Sequence, residues 1–287
     1  MPSASGSNDA FLPSRGRLAI MVELNVVTAG AEDAPPLVFL HGVGNSLRTF
    51  TFAADALADR AHVVLVDLRG HGGSPRVPGG YDLDGYVADV EALLERTGPA
   101  LVVGNSLGGA VAWTLAQRRP DLVRAALLED PPLRPADVGT VAPIFQVLQR
   151  QVTRWQDADV DAATVAAALG AMPVLGGRPA SEVQGPEVLD ARARGLLDVD
   201  PAALGAVADG SSLGTLDLDS PVTVPVRVLA AGEGTGSVLP ADAVAALART
   251  HPDVSLRRIP GAGHVIHDES AHRADWLAEV EALLAAG

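Results

Sequence analysis

A serine set in a short glycine-rich stretch, Gly104-Asn105-Ser106-Leu107-Gly108, is the chain's clearest chemical feature. Four small or apolar residues, Ala100 to Val103, precede it and read as a buried strand; Ala110 to Leu115 follow it and read as a helix. In this strand–turn–helix setting the G-x-S-x-G spacing presents a hydroxyl at the tip of a sharp turn. Side chains two residues before or after the serine would collide with the neighbouring strand and helix, so both positions are glycine. The helix N-terminus favours an anion developing near the hydroxyl.

A serine hydroxyl is a weak nucleophile until a base takes its proton and a third group orients that base. The candidate base is His264, in Pro260-Gly261-Ala262-Gly263-His264, a glycine-rich loop after the last expected strand. His267, three residues on, competes locally, although His267 and Asp268 also suit the N-terminal capping of the last helix. A second glycine-rich loop, His41-Gly42-Val43-Gly44, follows an apolar strand, Leu37 to Leu40. The backbone N–H groups of Val43 and Leu107 are the candidate oxyanion hole. His41, and Asp67, Arg69 and His71 in a further polar loop, read as structural hydrogen-bonders bracing neighbouring turns.

Positioning these residues requires a sheet. Apolar runs at Leu37–Leu40, His62–Asp67, Ala100–Val103, Val123–Leu128, Val226–Ala231 and Val254–Ile259 alternate with helical segments. That rhythm predicts an α/β fold with a mostly parallel central sheet and helices on both faces. Arg17 to Thr28 reads as one or two antiparallel strands. The rhythm stops after Pro132, and nearly ninety residues pass without a convincing strand. They predict an inserted helical cap over 133–217, between core segments 18–132 and 218–287, with a flexible arm over 1–17. Ile144, Phe145, Leu148, Trp155, Met172, Val174 and Leu175 are its candidate pocket walls.

The 287 residues are 48% hydrophobic, enough for a sizeable core. The net charge of 21 − 35 = −14 argues against nucleic acid or an anionic membrane as partner. Without cysteine there is no thiol nucleophile and no cysteine-ligated metal. No apolar run has signal-peptide or membrane-spanning length, so a cytoplasmic protein is expected, with a homodimer as the candidate assembly.

Taken in order, HGVG, DLRGHGGS, GNSLGG and GAGH resemble the α/β-hydrolase superfamily over Leu18–Pro132 and Leu218–Gly287. The resemblance implies the α/β-hydrolase fold, a Ser-His-acid triad, no metal and no organic cofactor. It implies an acid shortly before a proline after the penultimate strand. Here that stretch, AAGEGTGSVLP, carries Thr235 where the aspartate would stand. Zearalenone-type lactonases and some haloalkane dehalogenases instead take the acid from the strand after the nucleophile. The stretch similar to theirs is ALLEDPP, which makes Glu129 the leading acid, with Asp130 and Glu233 as alternatives. Dehalogenation itself is disfavoured, because it uses an aspartate nucleophile. The expected activity is hydrolysis of a small apolar carboxylic ester or lactone by Ser106, His264 and Glu129. The alternatives are C–C bond hydrolysis on the same site and a slow or non-catalytic ligand-binding protein.

Overall fold

The computed structural model describes residues 21–139, 141–174 and 178–286; the expected arm over 1–17 lies outside them. Among the described residues, seven strands form one sheet in the order β1-β3-β2-β4-β5-β6-β7. They are β1 (Val26–Ala29), β2 (Pro36–Leu40), β3 (His62–Val66), β4 (Ala100–Asn105), β5 (Val123–Glu129), β6 (Val226–Ala230) and β7 (Ser255–Arg258). Only β1 runs antiparallel, against β3. It is the one strand formed by the described part of the expected Arg17–Thr28 segment.

The central strands are apolar on both faces because helices cover both. Alternate residues therefore enter different cores: Val38, Leu40, Val102, Ala126 and Leu128 join one, while Leu37, Phe39, Leu101, Val103, Ala125 and Leu127 join the other. The first core contains α2 (Leu83–Thr97), α3 (Leu107–Arg118) and α8 (Ala241–Thr250). The second contains α1 (Thr51–Leu57) and α9 (Arg273–Ala286), with Phe39, Phe50 and Trp276 packed together. The Asp82 carboxylate starts α2 by accepting from the Gly85 N–H at 2.8 Å. The last helix starts later than expected: Ile266–Asp268 form a separate 3-10 turn before α9, so His267 and Asp268 do not cap it.

Between β5 and β6 the described residues form four α-helices, α4 (Ala142–Asp157), α5 (Ala162–Ala171), α6 (Pro186–Asp198) and α7 (Pro201–Ala208). Pro201 and the Asp200 carboxylate start α7, where Asp200 accepts from the Ala202 N–H at 2.9 Å. Asp200 also ties this segment to the connection between β3 and α2, accepting from the Tyr81 hydroxyl at 2.6 Å and donating its N–H to the Gly70 carbonyl at 2.7 Å. On the far side the Trp113 indole N–H donates to the Asp217 carbonyl at 2.8 Å. Among the described residues, no helix is long and apolar enough to cross a membrane.

Candidate active site

Ser106 follows β4 directly and precedes α3, with φ 51° and ψ −113°. A non-glycine residue in this region is strained and is held there by its surroundings. Those surroundings are tight. A Cβ on Gly108 would lie 2.1 Å from the Leu40 carbonyl oxygen, and one on Gly104 would lie 2.3 Å from that of Gly108. The Ser106 N–H is fixed by the Glu129 carbonyl at 2.9 Å. The turn thus lifts the hydroxyl to the N-terminus of a 12-residue helix.

The loop after β2 lies beside this turn. A Cβ on Gly42 would fall 3.2 Å from the Ser106 Cβ. Val43 and Leu107 border the same cavity as Ser106, and their N–H groups donate to no other group among the described residues. Two buried histidines hold the loop. His41 Nε2 accepts from the Leu68 N–H, and His71 Nε2 from the Gly44 N–H, both at 3.1 Å. Their Nδ1 atoms face the carbonyls of Gly42 and Arg69, so both rings serve as neutral braces. Burial pushes His71 down to about 3, aided by His41. Asp67 accepts from the Leu47 and Gly73 N–H groups at 2.7 and 2.8 Å, and Arg69 pairs with buried Asp89 at 2.6 Å. The bracing roles expected of Asp67, Arg69 and His71 are the ones observed.

The carboxylate beside His264 is Asp130, not Glu129. His264 Nδ1 lies 2.7 Å from Asp130 Oδ2, which also accepts from the Val238 N–H at 2.9 Å. Asp130 Oδ1 accepts from the Ala231 N–H at 2.9 Å and the Ser237 hydroxyl at 2.6 Å. Burial pushes this carboxyl up. The His264 bond and charge, Ser237 and the Ala231 N–H together outweigh burial and hold it below the usual carboxylate range.

Glu129 points to the other face of the sheet. Its Oε1 accepts from the His267 N–H at 3.0 Å; its Oε2 accepts from His267 Nδ1 at 2.7 Å and from the Trp276 indole N–H at 3.0 Å. Strand alternation is the reason: Ala125 and Leu127 share the Trp276 core, and Glu129 continues their parity. Asp130 leaves the strand at φ 41°, a left-handed conformation that aspartate adopts more readily than most residues. Glu233 is exposed. Thr235, at the usual acid position, keeps its hydroxyl 2.7 Å from the Gly232 carbonyl oxygen and 2.5 Å from that of Ala262. Two signals for Asp130 were present in the sequence: the residue type suited to a left-handed turn, and Pro131 immediately after it.

Ser106 and His264 open onto one cavity of about 400 Å³, a size suited to a small molecule. Of the expected walls, Ile144, Phe145 and Val174 line it; Leu148, Trp155 and Met172 do not, and Leu175 lies outside the described residues. Arg178, Gln184, Arg192 and Glu269 also line it, and an apolar-wall reading missed all four. Glu269 supports the histidine loop by accepting from the Gly263 N–H at 2.9 Å.

This fold and this site define a hydrolase. The profile of the alpha/beta hydrolase fold family matches residues 35–271, and the chain belongs to that family. The 2-(acetamidomethylene)succinate hydrolase of Mesorhizobium japonicum is 28% identical over 284 residues, spanning 93% of this chain and 94% of that one. A crystal structure of E-2-(acetamidomethylene)succinate hydrolase superposes with a TM-score of 0.73 at 25% identity, covering 92% of this chain and 95% of that one. The pimeloyl-[acyl-carrier protein] methyl ester esterase of Chromobacterium violaceum is 43% identical over 105 residues, 37% of this chain and 40% of that one.

Proposed function

We propose that this hydrolase cleaves a carboxylic ester or lactone through an acyl-enzyme formed on Ser106, with Asp130 in place of Glu129 as the acid. The observation that carries the reading is the 2.7 Å contact of Asp130 with His264 Nδ1, beside a cavity that Ser106 and His264 share. The Ser106 oxygen attacks the carbonyl carbon while its proton passes to His264 Nε2. Asp130 holds Nδ1–H, which sets the tautomer and stabilises the imidazolium. The N–H groups of Val43 and Leu107 receive the tetrahedral oxyanion. Collapse expels the alcohol, which takes the proton from His264. Water then attacks the acyl carbon, gives its proton to His264, and the acid leaves as Ser106 recovers its hydrogen.

Fluorophosphonate labelling followed by intact mass tests the reading. Wild type is expected to label rapidly, Ser106→Ala not at all, and Asp130→Asn roughly 10⁴-fold more slowly, the scale of losing a triad acid. Folded wild type that does not label would sink the acyl-enzyme reading. The contact of Asp130 with His264 favours turnover over the slow or non-catalytic ligand-binding alternative.

A second reading, cleavage of an amide or a C–C bond on the same residues, draws on one comparison. A relative that spans nearly the whole chain is named for a substrate with an acetamido group rather than an ester. Turnover of matched ester, amide and β-diketone substrates separates the two.

A further inference from the structure

All 21 basic residues of this chain are arginines, and two of them, Arg178 and Arg192, line the cavity of Ser106 and His264. Apolar wall comes from several parts of the chain between β5 and β6, Val138, Phe145, Val174, Val183 and Val207 among them, while Arg178, Gln184 and Arg192 come from the stretch running into α6. A cavity meant for a wholly apolar acyl group has no use for guanidinium groups, which cost free energy to desolvate against such a ligand.

The Arg192 guanidinium is oriented rather than consumed. Its Nη1 donates to Oε1 of Gln184 at 2.9 Å, and Gln184 is only 7% exposed, so the amide is a fixed prop. That is the one hydrogen bond its guanidinium makes among the described residues. The nearest carboxylate oxygen, Asp268 Oδ2, is 3.9 Å from Nε, beyond hydrogen-bond range. The Arg178 guanidinium makes no hydrogen bond or ion pair among the described residues. The cavity's other charged group, Glu269, accepts from the Gly263 N–H and faces His272 at 3.7 Å; the Arg178 charge acts on it without forming an ion pair. A planar fork with several unspent donors, held in place beforehand, matches a carboxylate.

We propose that the cavity selects acyl substrates bearing a second, ionised carboxylate, received by Arg192 with Arg178 as the flanking cation; this rests on the hydrolase reading above. The apolar residues then pack the carbon chain between the scissile carbonyl and the carboxylate. In a chain of net charge −14, such local cations are what admit an anion to the site.

The test compares kcat/KM for methyl half-esters of succinate, glutarate and adipate with methyl esters of uncharged acids of equal length. Wild type is expected to favour a half-ester, and Arg192→Gln to cut that preference ratio about 10- to 100-fold, mainly through KM, as for loss of a hydrogen bond to a charged group. Arg192→Lys keeps the charge without the fork and is expected to fall between. Arg178→Gln is expected to lower the ratio as well, and keeps the test open should Arg192→Gln fail to fold. Wild type with no preference, or a ratio unmoved in every folded variant, overturns the proposal. A separate arm needs no turnover: glutarate binding to Ser106→Ala by calorimetry, with and without Arg192→Gln. A Kd weakened about 10-fold or more supports the receptor, and an unchanged Kd or no binding at millimolar glutarate overturns it. If neither ester series turns over, the hydrolase reading fails while this arm still decides the carboxylate site.

Discussion

Asp130 accepts four hydrogen bonds at the end of β5, and one of them comes from the His264 imidazole. An asparagine there would present the wrong hydrogen-bond partner to Nδ1–H. Asp130→Asn is therefore expected to lower kcat by roughly 10⁴-fold, as tautomer control is lost. Glu129→Gln leaves His264 and its acid intact, so its kcat is expected to change by less than about 10-fold. Steady-state kinetics on one ester substrate checks both; an equal loss in the two variants would contradict the division of labour. Losing the Glu129 charge should instead appear as lost stability. It removes one partner of a buried pair with His267, which typically costs about 3–5 kcal/mol. Urea melts of Glu129→Gln read that directly.

Between the residues and the fold lie the turns that carry them. The sharp turn after β4 works only because β2 passes close beside it. Gly108→Ala places a methyl carbon against the Leu40 carbonyl oxygen and is expected to cost several kcal/mol or prevent folding, with the loss visible in expression and thermal melts. The histidine loop is located from below. The Glu129 main chain holds the Ser106 N–H, while its side chain holds the His267 N–H, three residues beyond His264. One residue thus registers Ser106 and the His264 loop against each other. At the junction with the inserted helices, Tyr81→Phe leaves the buried Asp200 carboxylate without its hydroxyl donor. It is expected to destabilise by about 1–3 kcal/mol, measured by chemical denaturation.

For the whole molecule, two buried titrations set opposite edges of the pH–stability curve. At His267 burial pulls the folded value down, but the charges of Glu129 and Asp268 and the Glu129 bond raise it above its ordinary value. Its contribution is complete below about pH 6.5 and is lost as pH rises through the raised value. At Asp130 the net shift is downward, so its contribution is present above about pH 4 and is lost as pH falls through the depressed value. Thermal melts from about pH 3 to about pH 9 are expected to show both limbs. His267→Gln should flatten the alkaline limb and Asp130→Asn the acid one; a limb unaffected by its variant removes that assignment.

The strand rhythm, the serine turn and the glycine-rich loops of Val43 and His264 were legible in the chain because each rests on local chemistry. A both-faced apolar run reads as a buried parallel strand wherever it lies, and Gly104 and Gly108 announce a crowded turn by their own missing side chains. The acid was not legible in the same way. Both faces of β5 are apolar, so nothing in Val123–Leu128 marks which parity meets His264 and which meets Trp276. A one-residue difference in phase moves a carboxylate to the other side of the sheet. The choice between Glu129 and Asp130 was made by the register of β5 against its neighbours and by the left-handed turn at Asp130. The arginines of the cavity were hidden for a related reason: 178 and 192 line the same cavity as Ser106 only in the folded chain, a placement of residues more than seventy positions apart that no local pattern encodes.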